Sequence, residues 1–417
     1  MSSTTNKNNN DNPNTKLVIP EWIKEDYFQG ILEKDHPDFK RIVRFAVIAA
    51  TGPGENYTSI MVRVNIDIEL KNSSIINTSY ILKTTLPSSK ASELLEHMSI
   101  FPKEKEVYQN ILSQFEQLYK EVGKTVNFGP QCKLTEDSPE RTTIVMEDLR
   151  QKKFKNVDRC LGLDMQHMEE VLKKLAEFHA ASAVHYERFG PFSEHFTQSF
   201  FKEENMEFFE EHGEVKRQQF LEALKKWGGC EKYLDLWPSY RKVLKWFIEH
   251  EHPAADEFAV LNHGDCWSNN IMFQYNDQGQ IQQTYFVDFQ MCKWGTPAQD
   301  LYYLITSSAA LDIKVAEFDK MMRIYQKNLA DNLKLLNYQK PIPTLKDIHI
   351  IMIKYSLWGY FTGINTMIVV LLDPNENANI ETYMNDEDFQ KQSLMNPRYV
   401  KAMKLLLPWW ENRGVFE

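Results

Sequence analysis

The sequence predicts an α+β protein in two lobes, a β-rich N-terminal lobe followed by an α-rich C-terminal lobe. Three observations predict this. Between Ile42 and Leu86, Val, Ile, Thr and Tyr recur with period two, and Ile60, Val62, Val64, Ile66, Ile68 and Leu70 fall on one face of a strand. After Leu149 the apolar residues shift to helical spacing, as in Met168, Val171, Leu172, Leu175, Phe178, His179 and Ser182. Two short apolar strands, Ala259–Leu261 and Thr284–Val287, each run straight into a polar, charged cluster.

In chain order, residues 1–15 are rich in Asn, Ser and Thr and almost free of apolar groups, so a disordered tail is expected. Residues 20–29 read as a short amphipathic helix carrying Trp22, Ile23, Tyr27 and Phe28. Strands are expected at Arg44–Ala50, Ser59–Leu70 and Ser79–Thr85, broken at Gly52-Pro53-Gly54 and at Lys71-Asn72-Ser73. A helix from about Ser88 to Tyr119, interrupted near Pro102, precedes a strand pair at Phe128–Leu134 and Thr142–Met146. The lobes meet at Glu147-Asp148-Leu149, dividing the chain into a 1–15 tail, a 16–147 β-rich lobe and a 148–417 α-rich lobe. Residues 200–250 and 312–336 are helix-rich.

Composition bounds the function. Hydrophobic residues make up 42% and charged residues 25% of the 417, an ordinary globular balance. A net charge of −10 argues against a general nucleic-acid binder, which needs a basic face to displace counterions. Cys132, Cys160, Cys230, Cys266 and Cys292 are scattered and form no C-x-x-C pair, so neither a disulfide framework nor a zinc site is expected. The most apolar stretch, Leu357–Leu372, contains Thr362, Asn365 and Thr366 and is shorter than the ~20 residues that cross a bilayer. A buried helix, no membrane span, no signal peptide and a reducing, cytoplasmic setting follow as expectations.

The chemistry concentrates in His263-Gly264-Asp265-Cys266-Trp267-Ser268-Asn269-Asn270 and in Asp288 of the following Tyr-Phe-Val-Asp-Phe-Gln. This is a carboxylate, an amide five residues on, and a second carboxylate ending an apolar strand. Phosphoryl transfer needs those parts: a carboxylate to orient a hydroxyl and take its proton, and an amide oxygen with a carboxylate to hold Mg²⁺ on phosphates. The spacing H-x-D-x-x-x-x-N, then D-F, equals that of the protein-kinase catalytic loop and metal motif. In isolation an H-G-D is a polar turn with Asp265 as its cap. The full constellation, with strands on both sides, favours catalysis and a protein-kinase-like two-lobed fold.

HGDCWSNNIMF followed by VDFQMCKWGTPAQDLYYLI resembles a motif shared by aminoglycoside phosphotransferases and choline kinases. It is similar, more closely, to the insect ecdysteroid-kinase-like family, over most of the chain from about Gly52. The resemblance implies that Asp265 is the catalytic base, that Asn270 and Asp288 are metal ligands, and that Asp300 stabilises the lobe. Lys83, at the end of the strand YILKTT, stands where a kinase places the lysine that contacts the α- and β-phosphates, although a lone strand lysine is usually a solvated edge charge. Phe101-Pro102-Lys103-Glu104-Lys105-Glu106-Val107-Tyr108 resembles the family's F-x-x-E-x-x-x-Y, which makes Glu104 the partner of Lys83. Glu106 is the competing candidate.

Gly52, Gly54 and Asn56 lie in a turn that resembles the family's glycine-containing loop, G-x-G-E-N-Y, over the nucleotide phosphates. Glu147 and Leu149 occupy the segment whose backbone meets adenine in kinases. His179 sits on an apolar helix face and reads as a packed core histidine. Phe200, Phe201, Phe208, Phe209, Trp227, Tyr233, Trp237, Trp358, Tyr360 and Phe361 read first as core aromatics, and second as walls for an apolar acceptor. The function expected is transfer of the γ-phosphoryl group of ATP, with Mg²⁺, to a hydroxyl of an apolar small molecule, an ecdysteroid or a detoxification substrate. A choline- or ethanolamine-type kinase using the acidic run Glu203, Glu204, Glu207, Glu210 and Glu211, and a nucleotide-binding pseudokinase, stand as alternatives.

Overall fold

The computed structural model describes residues 19–50, 59–85, 100–138, 141–197, 201–373 and 386–417. The expected tail (1–15), the glycine-containing turn with Gly52, Gly54 and Asn56, Phe200, and the expected helical residues 88–99 lie outside them.

The N-terminal lobe is an antiparallel sheet of β1 (Phe39–Ala49), β2 (Ser59–Leu70), β3 (Ile75–Thr85), β4 (Cys132–Asp137) and β5 (Thr142–Glu147), in the order β1-β2-β3-β5-β4. Alternation in β2 turns Ile60, Val62, Val64, Ile66 and Ile68 to one face, where they are buried with Phe28, Ile31 and Leu32 of helix α1 (Glu25–Asp35). Each such side chain contributes roughly 1.5–3 kcal/mol by leaving water. The same alternation decides where Lys83 points. Leu82 faces this core, so Lys83, opposite Met61 and Ile144 in the register, must project from the other face, toward the C-terminal lobe.

Helix α1 begins later than the amphipathic pattern from residue 20 suggests. Pro20–Ile23 form a turn, and the helix opens on Glu25 and Asp26, whose charges complement its N-terminal dipole. Strand β1 likewise starts earlier than Arg44, at Phe39.

On the inner face of the sheet lies a continuous helical segment: α2 (Ile100–Glu106), a π-helical turn (Val107–Ile111) and α3 (Leu112–Glu121). Pro102 does not interrupt the described segment, which runs without a break from Ile100 through Glu121.

The C-terminal lobe is built around α4 (Met165–Phe189), capped by Asp164, whose Oδ1 accepts the His167 N–H at 3.0 Å. Met168, Val171, Leu172, Leu175, Phe178, His179 and Ser182 are all buried, as their spacing requires. Helices α5 (Met206–Lys226), α6 (Tyr233–Leu236) and α7 (Tyr240–Glu249) follow. Then come β6 (Val260–Asn262), β7 (Ile271–Tyr275), β8 (Ile281–Phe286) and β9 (Lys293–Gly295), with β6 paired to β9 and β7 to β8. The chain closes with α8 (Ala298–Ser308), α9 (Phe318–Leu335), α10 (Leu345–Lys354), α11 (Leu357–Val370), α12 (Glu387–Leu394) and α13 (Pro397–Glu411).

The apolar stretch from Leu357 is α11, and it presses closely on its neighbours. A Cβ on Gly359 would lie 2.7 Å from the Tyr302 ring, and one on Gly363 would lie 2.5 Å from the Trp410 ring. Among the described residues no helix is long and apolar enough to cross a membrane. All five cysteines are free thiols.

Candidate active site

Strand β6 delivers the chain into the polar loop His263–Asn270, and one buried carboxylate fixes that loop. Asp300, in the first turn of α8, accepts the backbone N–H of His263 at 2.6 Å and of Gly264 at 2.8 Å, and the His179 ring nitrogen lies at 3.1 Å. His179 also bonds the Tyr325 hydroxyl at 2.8 Å, so it is a satisfied core histidine. The His263 ring donates from Nε2 to the Val287 carbonyl (3.1 Å) and accepts the Asp265 N–H on Nδ1 (3.3 Å), which ties the loop to the strand leading to Asp288. Burial lowers the His263 pKa, keeping the ring neutral. Gly264 has φ +81°, and a Cβ there would sit 2.0 Å from the Met291 carbonyl oxygen.

This turn aims Asp265 into the space between the lobes. Its Oδ2 accepts Asn270 Nδ2 at 2.9 Å, and Asn270 Nδ2 also reaches the Asp265 carbonyl at 3.0 Å. The Asn270 amide thus spends its nitrogen on Asp265, leaving Oδ1 as the oxygen for a cation. Oδ1 of Asp265 accepts the Tyr303 hydroxyl at 2.5 Å. The carboxylate sits deep among protein atoms yet keeps part of its surface toward the cleft. Burial, reinforced by the charge of Asp288, raises its pKa to about 7.

Lys83 crosses from the sheet to this site and lies between two carboxylates. Its Nζ is 2.6 Å from Glu104 Oε2 and 2.8 Å from Asp288 Oδ1, with Lys83 3% and Glu104 1% exposed. Burial alone would lower the lysine pKa, but Asp288 and Glu104 hold it above the usual value. Glu104 is pushed up by burial against the pull of Lys83. Glu106 takes no part: its Oε2 accepts the Ser193 hydroxyl at 2.7 Å. Asp288 adopts φ 66°, ψ 64°, a left-handed conformation that costs a non-glycine residue about 1–3 kcal/mol and is concentrated at functional sites. Its N–H donates to the Tyr108 hydroxyl at 3.4 Å, and Tyr108 meets Phe289 edge-on at 5.4 Å. Tyr108 lies in the π-turn, a feature that recurs at functional sites.

At the connection between lobes, Asp148 Oδ2 accepts Arg63 Nε at 2.6 Å and Ser79 Oγ at 2.8 Å, so strands β2 and β3 are pinned to the junction. Glu147 spends its N–H on the Gln131 carbonyl (3.0 Å), and its side chain pairs with Lys152 at 2.5 Å. Leu149 is buried with Phe154 and Tyr285, with Met272 and Val287 packed against them, an apolar floor beside the cleft.

Lys83, Glu104, Asp265, Asn270 and Asp288 are therefore brought together, and Glu147 and Leu149 lie at the lobe junction. Sequence reading missed Tyr303 and Gln290, whose Oε1 is 3.4 Å from Lys83 Nζ. Tyr303 carries one signal in hindsight: it follows Asp300 by three residues on a helix, so both face the same loop. Of the aromatics, Trp227, Tyr233, Trp237 and Tyr360 are core. Phe201 stacks on Phe247 at 5.1 Å, and half-buried Trp358 and Phe361 of α11 join that cluster at 4.8 and 5.1 Å from Phe247.

The model of the ecdysteroid kinase-like family matches residues 53–338, well over half of the chain. The chain belongs to the ecdysteroid kinase-like family. In this ecdysteroid kinase-like protein the matched segment contains all five clustered residues, while α10–α13 lie beyond it. A 4-hydroxytryptamine kinase of Psilocybe cyanescens is 27% identical over 125 residues, 28% of this chain and 33% of that protein, so the chain spans about a third of this curated relative. A Haemophilus somnus 129PT protein assigned as a fructosamine-3-kinase is 11% identical, with 85% of this chain and 94% of that one covered at a TM-score of 0.31. Aminoglycoside-3'-phosphotransferase of type VIII is 12% identical, with 78% and 97% covered at a TM-score of 0.32. At these values neither structure adds to what the family match shows.

Proposed function

We propose that this protein is an ATP-dependent small-molecule kinase that moves the γ-phosphoryl group to a hydroxyl of an apolar alcohol. The observation that carries the reading is the convergence of Asp265, Asn270 and Asp288 on one side of the cleft with the Lys83–Glu104 pair on the other.

Lys83 binds the α- and β-phosphates, and Glu104 holds Lys83 in place. Among the described residues no group of three or more His, Cys, Asp or Glu could hold a metal by itself. The donor set instead fits Mg²⁺ shared with phosphates: when bound, Mg²⁺ neutralises phosphate charge, with Asn270 Oδ1 and the Asp288 carboxylate as protein ligands. Asp265 orients the acceptor hydroxyl and takes its proton as the oxygen attacks the γ-phosphorus. The new P–O bond forms on the alcohol while the bond to the β-phosphate oxygen breaks and ADP leaves. The backbone at Glu147–Leu149 and the turn with Gly52, Gly54 and Asn56 belong to the nucleotide site in this reading. Residues 16–147 form the lobe above the nucleotide, and residues 148–417 carry the catalytic loop and the acceptor site. The free thiols support a reducing, cytoplasmic setting.

For the acceptor, the match to the ecdysteroid kinase-like family favours an apolar skeleton, an ecdysteroid or a detoxification substrate. Glu203, Glu204, Glu207 and Glu211 are solvent-exposed and Glu210 pairs with Arg241 at 2.6 Å, which disfavours an acidic choline cage. The test is Mg-ATP turnover by purified protein with ecdysone, 20-hydroxyecdysone, choline and 4-hydroxytryptamine, with phosphate esters read by mass spectrometry. An ester of an apolar alcohol, lost in Asp265→Asn by ~10²–10⁴-fold, is expected. Absence of both ester and ADP formation would overturn the kinase reading, and preference for choline would overturn only the acceptor class.

A further inference from the structure

Both oxygens of Asp265 are held by the protein itself. Asn270 takes Oδ2 at 2.9 Å, and the Tyr303 hydroxyl donates to Oδ1 at 2.5 Å. Tyr303 stands three residues after Asp300 on α8, so one face of one helix fixes the loop backbone, through Asp300, and the loop's carboxylate, through Tyr303. Carboxylate oxygens accept more than one hydrogen bond, so the Tyr303 bond leaves a lone pair for an acceptor hydroxyl while restricting where that lone pair points.

We propose that Tyr303 is the positioning residue for Asp265, so that helix α8 sets the carboxylate as well as the loop that carries it. The inference rests on the kinase reading. Tyr303 removes no proton. It fixes the Asp265 rotamer between two donors from different elements, so that the acceptor hydroxyl meets one carboxylate geometry. A displacement of about 1 Å in such a group can cost on the order of 10²-fold in rate.

The experiment is a double-mutant cycle on the full chain. ADP formation without added alcohol, and transfer to whichever panel alcohol the wild type phosphorylates, are measured for wild type, Tyr303→Phe, Asp265→Asn and the pair. Mg-ADP affinity, measured by calorimetry, reports on the integrity of the nucleotide site. Tyr303→Phe is expected to lower kcat about 10–100-fold with the KM for ATP and the Mg-ADP affinity unchanged. Tyr303→Phe should matter by no more than about 2–3-fold once Asp265 is Asn, because residues that act through one group are non-additive. Equal losses in both backgrounds, or an unchanged kcat in Tyr303→Phe, would overturn the proposal while leaving the kinase reading intact. If Tyr303→Phe does not fold, Tyr303→Met in the two backgrounds decides by the same criterion. A wild-type protein that makes no ADP would remove the kinase reading, and this inference with it.

Discussion

Gly264→Ala tests whether the loop geometry, rather than the loop's residue types alone, sets the site. Residue 264 has φ +81°, and an alanine Cβ would meet the Met291 carbonyl oxygen at 2.0 Å, its carbonyl carbon at 2.7 Å and its Cβ at 3.1 Å. Left-handed backbone costs an L-residue about 1–2 kcal/mol. The clash is with backbone, so it cannot be relieved by a rotamer change, and overpacking of this kind costs about 1–3 kcal/mol more. Reaching ordinary contact needs a shift of about 1.5 Å, given carbon contacts near 3.5 Å. That shift strains the Gly264 N–H bond to Asp300 Oδ1, 2.8 Å long. The sum is roughly 2–5 kcal/mol of destabilisation. Because Asp265 is the next residue, turnover should fall on the order of 10²-fold even in the folded fraction. Denaturant unfolding and Mg-ATP turnover on the same preparations separate the two effects. Gly30→Ala is the control: Gly30 is exposed on α1 with nothing within 4 Å of a new Cβ, so it should gain about 0.5–1 kcal/mol. A Gly264→Ala protein with the parental denaturation midpoint and kcat would refute the reasoning.

Three further outcomes are expected. Asp288→Asn should raise the Mg²⁺ concentration needed for half-maximal turnover, and Asn270→Ala should do so more mildly; identical Mg²⁺ titrations would exclude both as ligands. Glu104→Gln should destabilise by about 1–3 kcal/mol, less than a fully broken buried pair because Lys83 keeps Asp288, and should raise the KM for ATP. Glu106→Gln, which disturbs only a bond to Ser193, should stay within about 0.5 kcal/mol, and the reverse ranking would show that the wrong glutamate has been paired. Lys314 is buried and donates to the Ile305 and Thr306 carbonyls at 2.8 and 2.6 Å, and burial lowers its pKa from 10.5 to about 7. Between those values the unfolded chain binds more protons than the folded one, so this group makes stability rise with pH across that window. Lys314→Met should flatten the rise in denaturation midpoint between neutral and alkaline pH, and equal slopes for the two proteins would refute the assignment.

The N-terminal lobe is readable from sequence where one face of an element is dry and the other wet, as in β2, because burial then imposes a period of two. Strands β7 and β9 escape such reading in part because they are short and made by pairing, β7 with β8 and β9 with β6, not by a long pattern. Asp265, Asn270 and Asp288 are legible since their spacing is local or short-range. Choosing Glu104 over Glu106 needed the distances to Phe101 and Tyr108 along the helix, and the 2.6 Å contact to Lys83 agrees with that choice. Asp148 with Arg63, and Tyr303 with Asp265, are contacts between residues far apart in the chain, and no local spacing announces either pairing. The aromatics show the limit on the acceptor side. Periodicity separates faces of a helix, but not a core face such as that of Tyr360 from the half-buried face that carries Trp358 and Phe361.

The lysine bridge has a consequence for control. Lys83 already touches both Glu104 and Asp288 in the chain alone, with Lys83 and Glu104 almost wholly buried. In the kinase reading, a nucleotide would meet Lys83 already held between Glu104 and Asp288. Switching such a protein off by swinging the Glu104 helix outward would break the buried Lys83–Glu104 pair while Lys83 kept Asp288, a cost of about 1–3 kcal/mol. An inhibitory ligand would have to supply that much differential affinity before it moved the helix.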